Sequence, residues 1–364
     1  MPKIIHAADF HLDSAFGGLP TEKSRERRRE SRDLMDRLAD LAALEKADLV
    51  LLSGDLFDGQ RVYPETLERL KAALARMGCP VFIAPGNHDP WTPRSPYALQ
   101  VWPDNVWIFR EEGLSPVALP ELGCVVHGAA FAGQSRTSHV LAGWSAPKDG
   151  MTHLFCLHGD AANPASPYGP ITREEIAGSG AAYLALGHVH QCSGLQREGD
   201  TFWAYPGCPE GRGFDEQGDK GVLAGTVGPG GAALRFVPLC RRRYWILEAD
   251  VTDAPPREAV ERVMPDTAGE DICRVVFTGE AGEDGVDLPM LESMFRERFY
   301  ALELRDKTRP ARSLWEKAGE NSLRGLFLQE MKRKYDAAPD EAAREQVALA
   351  VRFGLAALDG RDVG

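Results

Sequence analysis

Five of the nine histidines in this 364-residue chain fall inside short ligand-type motifs, in one order, within the first 190 residues. The motifs are Asp9-Phe-His11, Gly54-Asp55-Leu-Phe-Asp58, Gly86-Asn87-His88-Asp89, His158-Gly159 and Gly187-His188-Val-His190. Each directly follows a short apolar run that reads as a β-strand. Oxygen and imidazole ligands delivered from several strand ends are what a site for two hard-to-borderline divalent cations needs. A chain of this kind must therefore fold so that several strand ends meet.

The runs between the motifs say how. Lys3 to Ala8 reads as a strand, Ser24 to Lys46 as a helix, Asp48 to Ser53 as a strand, Pro64 to Met77 as a helix and Val81 to Ala84 as a strand. A β-α-β-α-β order implies parallel pairing with helices on the sheet faces. Short β-rich runs follow at Val106–Phe109, Cys124–His127, His153–Leu157, Tyr183–Leu186, Phe202–Tyr205, Val222–Val227 and Leu234–Leu239. The fold class is α/β with mixed sheets, two of them packed together. A boundary falls near Arg241 to Tyr244, giving a domain over 1–243. Strands at Trp245–Val251, Ile272–Thr278 and Tyr300–Arg305 alternate with helices at Arg257–Val263 and Leu288–Arg298, a small α+β domain over 244–310 whose turns are Pro255-Pro256 and Gly279–Gly285. The segment 311–364 reads as two helices, Asn321–Tyr335 and Asp340–Leu358, split at Pro339.

Composition narrows the function classes. No apolar stretch approaches a bilayer span, and the opening Met-Pro-Lys-Ile-Ile reads as a strand, not a signal peptide. Seven cysteines without CxxC spacing read as free, largely buried thiols of a cytoplasmic protein. The net charge of −12 does not advertise a nucleic-acid binder. Two local clusters run against it, Arg25, Arg27, Arg28, Arg29 and Arg32, and Arg241-Arg242-Arg243, each of which reads either as a solvated face or as a contact to a nucleic-acid backbone.

Asp9 and His11 stand two apart and would share one face if the strand continued, and His188 and His190 would likewise point one way. Asp55 lies at the carboxyl end of the second strand, where open α/β sheets place ligands. Gly86 lets the backbone of Asn87 and His88 approach the site closely. Taken alone, Asp-x-His or Gly-Asp is an ordinary strand-end turn; the ordered conjunction of five motifs is what points to a metal site. His6, His127, His139 and His153 read as satisfied core or surface residues.

These motifs resemble those of the calcineurin-like metallophosphoesterase superfamily over about residues 1 to 240. Within it, His11-Leu-Asp-Ser, Gly-Asp-Leu-Phe-Asp and the appended C-terminal module resemble SbcD-type DNA repair nucleases, and Tyr205 to Glu216 with Asn321 to Phe327 resemble the shorter YhaO-type exonuclease branch. The resemblance implies a four-layer αββα sandwich with a capping domain and C-terminal helices. It also implies two divalent metal ions, usually Mn²⁺, with Fe or Zn compatible with a thiolate-free N and O ligand set. Asp55 would bridge them; Asp9, His11 and His190 would complete one metal, and Asn87, His158 and His188 the other. His88 would donate to a phosphate oxygen or protonate the leaving oxygen, and Asp89 would either orient His88 or cap a solvent-facing turn. Asp58 stands where archaeal and eukaryotic relatives carry histidine, so it either handles substrate or holds a ligand from behind. Arg212, between Gly211 and Gly213, is a candidate phosphate clamp, with a flexible surface turn as the alternative.

The reading this supports is a Mn²⁺-dependent DNA exonuclease or endonuclease in DNA repair, acting on DNA and gripping a coiled-coil, SbcC-like ATPase with its C-terminal helices. A homodimer is compatible with it. A phosphatase or phosphodiesterase for a small or protein phosphoester, and a non-catalytic DNA-end-binding scaffold, stay open beside it. Leu323, Leu326, Phe327, Met331, Val347, Ala350, Val351 and Leu355 form apolar stripes for the ATPase or for packing within their own domain.

Overall fold

The computed structural model describes residues 1–59, 61–283 and 285–360. Position 284, inside the expected turn Gly279–Gly285, and positions 361–364 of the expected helical segment lie outside the described residues. The chain forms two compact units, Met1–Arg243 and Tyr244–Gly364.

The first unit runs through β1 (Lys3–Ala7), α1 (Thr21–Glu45), β2 (Leu49–Leu52), α2 (Pro64–Arg76), β3 (Val81–Ile83), the single-turn α3 (Pro96–Leu99) and β4 (Val106–Ile108). It continues with β5 (Ser115–Leu119), β6 (Cys124–Gly128), β7 (Thr152–His158), α4 (Arg173–Ser179), β8 (Tyr183–Gly187), β9 (Gln196–Glu198), β10 (Thr201–Ala204), β11 (Gly221–Gly228) and β12 (Gly231–Pro238). One six-stranded sheet has the order β12-β11-β1-β2-β3-β4, parallel from β1 to β4 and antiparallel at β11 and β12. The other has the order β5-β6-β7-β8-β10-β9, parallel from β6 through β7 and β8 to β10.

Side-chain alternation shows how the layers stack. In β2, Val50 and Leu52 pack with Leu34, Leu38 and Leu74 of α1 and α2, whereas Leu49 and Leu51 pack with Leu154, Cys156 and Tyr183 of the second sheet. In β7, Leu154 and Cys156 face the first sheet, while Phe155 and Leu157 join Ile176 of α4. Helices, sheet, sheet and helix thus form the four-layer sandwich that the resemblance implies. Each fully buried leucine contributes about 1.5–3 kcal/mol, which is why strands of four to seven residues with no polar face suffice here.

Packing divides the arginine clusters. Arg27 is fully buried, with Nη1 2.8 Å from Glu30 and Nη2 2.6 Å from Glu210. Arg242 is buried too, and reaches the same Glu30 at 2.6 Å. Neither is a surface cation; together they tie the segment around Glu210 to α1. Removing one partner from such a buried network costs about 3–5 kcal/mol.

The second unit contains β13 (Tyr244–Asp250), α5 (Pro256–Val263), β14 (Ile272–Thr278), β15 (Glu280–Ala281), α6 (Leu288–Phe295), β16 (Ala301–Asp306), β17 (Arg309–Pro310), α7 (Arg312–Glu316), α8 (Leu323–Asp336) and α9 (Glu341–Leu358). Its β13-β14-β16 sheet is parallel, and Val275 and Phe277 pack with Val260 of α5 and Leu291 and Phe295 of α6. Helices α7 to α9 share a small core of Leu314, Leu328, Met331, Val351 and Leu355. Leu323 and Leu326 are 70% and 62% exposed. All seven cysteines are free thiols. Among the described residues, no helix is long and apolar enough to cross a membrane.

Candidate metal centre

β1 stops at Ala7 and β2 at Leu52, and the two loops that follow run side by side. Asp9 N–H donates to Gly54 O at 3.0 Å, His11 N–H to Asp55 O at 2.9 Å and Leu12 N–H to Leu56 O at 2.8 Å. Asp9, His11, Asp55 and His188 all have positive φ, at 56°, 45°, 51° and 111°. This corrects the expectation that Asp9 and His11, or His188 and His190, alternate as strand residues sharing a face. The left-handed backbone costs roughly 1–2 kcal/mol per residue and turns each side chain individually toward the site. Glycine makes the approach possible. A Cβ at Gly86 would lie 2.2 Å from Asp55 Oδ1, and one at Gly54 would lie 2.4 Å from His158 Nδ1.

Three histidines are then oriented by the same device. His11 Nδ1 lies 3.2 Å from Asp58 Oδ1, His190 Nδ1 2.7 Å from Glu216 Oε1, and His158 Nδ1 2.9 Å from the Ser53 carbonyl oxygen. Carboxylates and carbonyls only accept, so each Nδ1 carries the hydrogen and each Nε2 faces inward with a lone pair that could hold a metal. The Nε2 atoms converge. Those of His11 and His190 stand 3.2 Å apart, and that of His158 lies 3.0 Å from Asn87 Oδ1 and 3.4 Å from Asp55 Oδ2.

Two carboxylates sit among them. Asp9 and Asp55 are buried at 0% and 1% exposure. Burial pushes the Asp9 carboxyl above its ordinary value. Burial would do the same to Asp55, but His158 and His11 outweigh it and hold that carboxyl below its usual range. Burial likewise opposes the charge on His158, yet Asp55 and Asp9 prevail and raise it to about 9. Two inner groups, Asp9 with His11 and His190, and Asp9 with Asp55 and His158, each offer donor atoms within 4.8 Å of one another, and His11, Asp58 and His88 do so at the exposed rim. Asp55 Oδ2 lies between the two inner groups, 3.8 Å from His11 Nε2 and 3.4 Å from His158 Nε2. Nitrogen and oxygen donors without thiolate, facing one another around buried negative charge, fit divalent metal ions. His188 stands apart from these donor groups. Its ring meets His158 edge-on at 5.4 Å and Tyr168 at 5.3 Å, and its backbone N–H donates to both Asp9 oxygens at 3.1 Å.

His88 is the exposed member. Its backbone N–H donates to Asp55 Oδ1 at 2.9 Å, while its side chain, 48% exposed, stands edge-on to His11 at 4.8 Å and 3.9 Å from Asp58. It borders a cleft of about 320 Å³ with Asp58, Asn87, Gln134 and Tyr168. Asp89 neither orients the His88 ring nor caps an exposed turn. It is buried, and its carboxylate accepts from Gly86 N at 2.8 Å, Phe57 N at 3.1 Å, Asp55 N at 3.2 Å and Tyr97 Oη at 2.5 Å. Burial and the Asp55 charge push its carboxyl up to about 7. Asp89 clamps the two metal loops together.

Arg212 is likewise committed, as a brace and not as a free phosphate clamp. Its Nη2 donates to Glu216 Oε1 at 2.8 Å and its backbone N–H to Glu216 Oε2 at 2.7 Å, with Nη1 3.5 Å from Asp58. The buried Glu216 was not among the residues expected at the site. It lies in the segment from Tyr205 that carried the branch resemblance, but no ligand spacing marks it. Asp58, 3.2 Å from His11 Nδ1, holds that imidazole from behind. The remaining histidines are engaged elsewhere: Nδ1 of His6 by the Tyr183 hydroxyl at 2.8 Å, His139 by Glu175 at 3.0 Å, and His127 and His153 by each other at 2.8 Å.

The profile of the calcineurin-like phosphoesterase family matches residues 2–192. The chain is 31% identical over 315 residues to the Bacillus subtilis protein described as uncharacterized metallophosphoesterase YhaO, covering 78% of this chain and 74% of that one. It is 26% identical over 270 residues to a B. subtilis protein described as a subunit of the nuclease SbcCD, covering 63% of this chain and 67% of that one. It is also 25% identical over 270 residues to the DNA double-strand break repair protein Mre11 of Aeropyrum pernix, covering 70% of this chain and 64% of that one. With a family match over more than half its length laid on a site that gathers the family's type of ligands, the chain belongs to the calcineurin-like phosphoesterases and is a metal-dependent phosphoester hydrolase.

Proposed function

We propose that this protein is a Mn²⁺-dependent DNA exonuclease or endonuclease of DNA repair. The observation that carries the reading is the pair of inner donor groups around Asp9 and Asp55 with an exposed imidazole, His88, beside Asp58 at their rim. The similarity to proteins described as an SbcCD nuclease subunit and as Mre11 extends beyond the family profile and directs the reading to DNA. Asp9, His11 and His190 would hold one metal, Asn87, His158 and His188 the other, and Asp55 both. The chemistry two such ions supply when bound is neutralisation of phosphate charge and activation of water near neutral pH. The chain's own part is orientation and proton transfer. Asp58, Glu216 and the Ser53 carbonyl fix the ligand imidazoles. His88, solvent-facing, donates a proton or hydrogen bond to the departing or non-bridging oxygen.

One assay tests this. Purified protein with Mn²⁺ releases nucleotides from linear duplex DNA, and His88→Ala does not. Hydrolysis of p-nitrophenyl phosphate with no attack on DNA would replace the reading by a small-phosphoester phosphatase. No hydrolysis of either with metals bound would leave a scaffold.

The exposed Leu323, Leu326, Leu349 and Phe353 of α8 and α9 support a coiled-coil ATPase as partner, and seven free thiols favour a cytoplasmic setting. Leu323→Glu with Leu326→Glu should abolish co-purification with such an ATPase while sparing hydrolysis of p-nitrophenyl phosphate; unchanged co-purification refutes this docking face.

A further inference from the structure

The solvent side of the first third of α1 carries Arg25, Arg28, Arg29 and Arg32 at i, i+3, i+4 and i+7, one continuous helical face. Like charges at that spacing repel one another along the helix. With Lys23 and Tyr63 these arginines line an open groove of about 970 Å³. Three acids share the groove, but two are engaged: Glu65 pairs with Arg32 at 3.0 Å, and Glu26 with the buried Arg242 at 3.4 Å. Arg25, Arg28 and Arg29 have no anionic partner among the described residues. In a chain of net charge −12 this is a local reversal of sign.

The groove also begins on the same side of the sheet as the chemistry. In parallel crossovers each helix begins where the preceding strand ends. Here the loops carrying Asp9 and His11, and Asp55 and Asp58, lead directly into α1 and α2. Asp13 stitches these loops together just ahead of the helices, accepting from Tyr63 N–H at 2.9 Å and Thr66 Oγ1 at 2.7 Å. The arginine row therefore starts on the strand-end side of the sheet, where the metal donors gather.

We propose that this groove is a binding site for the phosphodiester backbone of nucleic acid, outside the metal centre, gripping the strand whose bond is hydrolysed there. The inference rests on the nucleic-acid reading above. Arg25 to Arg32 spans about 10 Å of helix, the axial length of about three phosphates of one duplex strand. Arginine suits this role because its planar guanidinium stays charged and pairs bidentately with phosphate. The contact is sequence-independent, so it positions a strand and does not select a base.

The test is the salt dependence of binding. Fluorescence anisotropy of a labelled linear duplex, in EDTA to prevent cleavage, is read from 50 to 200 mM salt for the full chain and for Arg25→Ala/Arg28→Ala/Arg29→Ala. Each lost phosphate contact should lower the slope of log K against log salt by roughly 0.9, so the variant should lose about 2 to 3 from that slope. Its affinity at low salt should fall at least tenfold, with p-nitrophenyl phosphate hydrolysis and melting temperature unchanged. The triple lysine variant, which keeps the charges, should retain most of the slope. An alanine variant with wild-type slope and affinity, while the wild type still digests DNA, overturns the groove and leaves the nuclease reading standing. A wild type that neither binds nor digests DNA overturns both.

Discussion

Histidines gather in two places in the first unit. At the metal centre, His11, His158 and His190 each donate Nδ1–H outward to a fixed acceptor and aim Nε2 at a common space beside two buried carboxylates. On β6 and β7, His127 and His153 lie as close, but along a line: His127 Nε2 meets His153 Nδ1 at 2.8 Å, and His153 Nε2 meets the exposed edge of Asp149 at 3.1 Å. Trp144 and Phe155 pack on His127 at 4.9 and 5.0 Å. The second group spends two of its nitrogens on each other and a third on one carboxylate at its edge, and it surrounds no buried anionic charge. Density of histidine therefore says little. What makes a metal site is the direction in which donor atoms are left over and the negative charge they surround.

The strongest way to break this contrast is a pair of matched substitutions. Asp55→Asn should cost several kcal/mol of transition-state stabilisation, roughly a thousandfold in hydrolysis, and should abolish tight Mn²⁺ binding. Asp149→Asn should change neither; equal losses at both positions would erase the distinction. Next comes His88→Ala, expected to lower kcat roughly a hundredfold or more while calorimetry shows wild-type metal affinity, since the His88 side chain groups with His11 and Asp58 at the exposed rim and with neither buried carboxylate. A parallel drop in affinity would make it a ligand instead.

Glu216→Gln sharpens the claim that outward hydrogen bonds orient the ligands. It should weaken Mn²⁺ binding roughly ten- to a hundredfold, with much of the turnover restored at saturating metal. Wild-type affinity would reduce Glu216 to a loop anchor.

The smallest effect on hydrolysis, none at neutral pH, is expected from the second group, whose signature is acid stability. Burial, helped by His153, lowers the His127 pKa from 6.5 to about 4. The unfolded chain thus binds the proton more readily than the folded one. The stability contributed is full above about pH 6.5 and lost as pH falls toward 4, on the order of 2–3 kcal/mol. Urea midpoints followed from pH 7 to 4 should drop, and should drop less in His127→Gln. A pH-independent difference between the two proteins would contradict this.

Much of the fold was legible because the first five motif strands are short runs buried on both faces, such as Leu49–Leu52 and Tyr183–Gly187, and because Pro64 stands at the first turn of α2. Edge elements were harder. β5, Ser115–Leu119, contains a proline and is only half-buried, and α4 is seven residues long, marked mainly by the Thr172/Glu175 capping box. The site residues were legible as types and as an order, but not as geometry. Left-handed backbone at Asp9, His11 and Asp55 is a product of two loops bonding to each other, which no periodicity encodes. The same holds for Glu216, Tyr97 and the buried Arg27, whose roles arise from partners 26, 8 and 183 residues away.

In the proposed centre, inward-facing nitrogens around Asp9 and Asp55 would hold two metal ions, with Asp55 serving both. Isothermal titration of Mn²⁺ into chelator-stripped protein tests it most directly. The account predicts two equivalents bound by the wild type, and loss of tight binding at both in Asp55→Asn. A single equivalent, or two that survive Asp55→Asn unchanged, would contradict it.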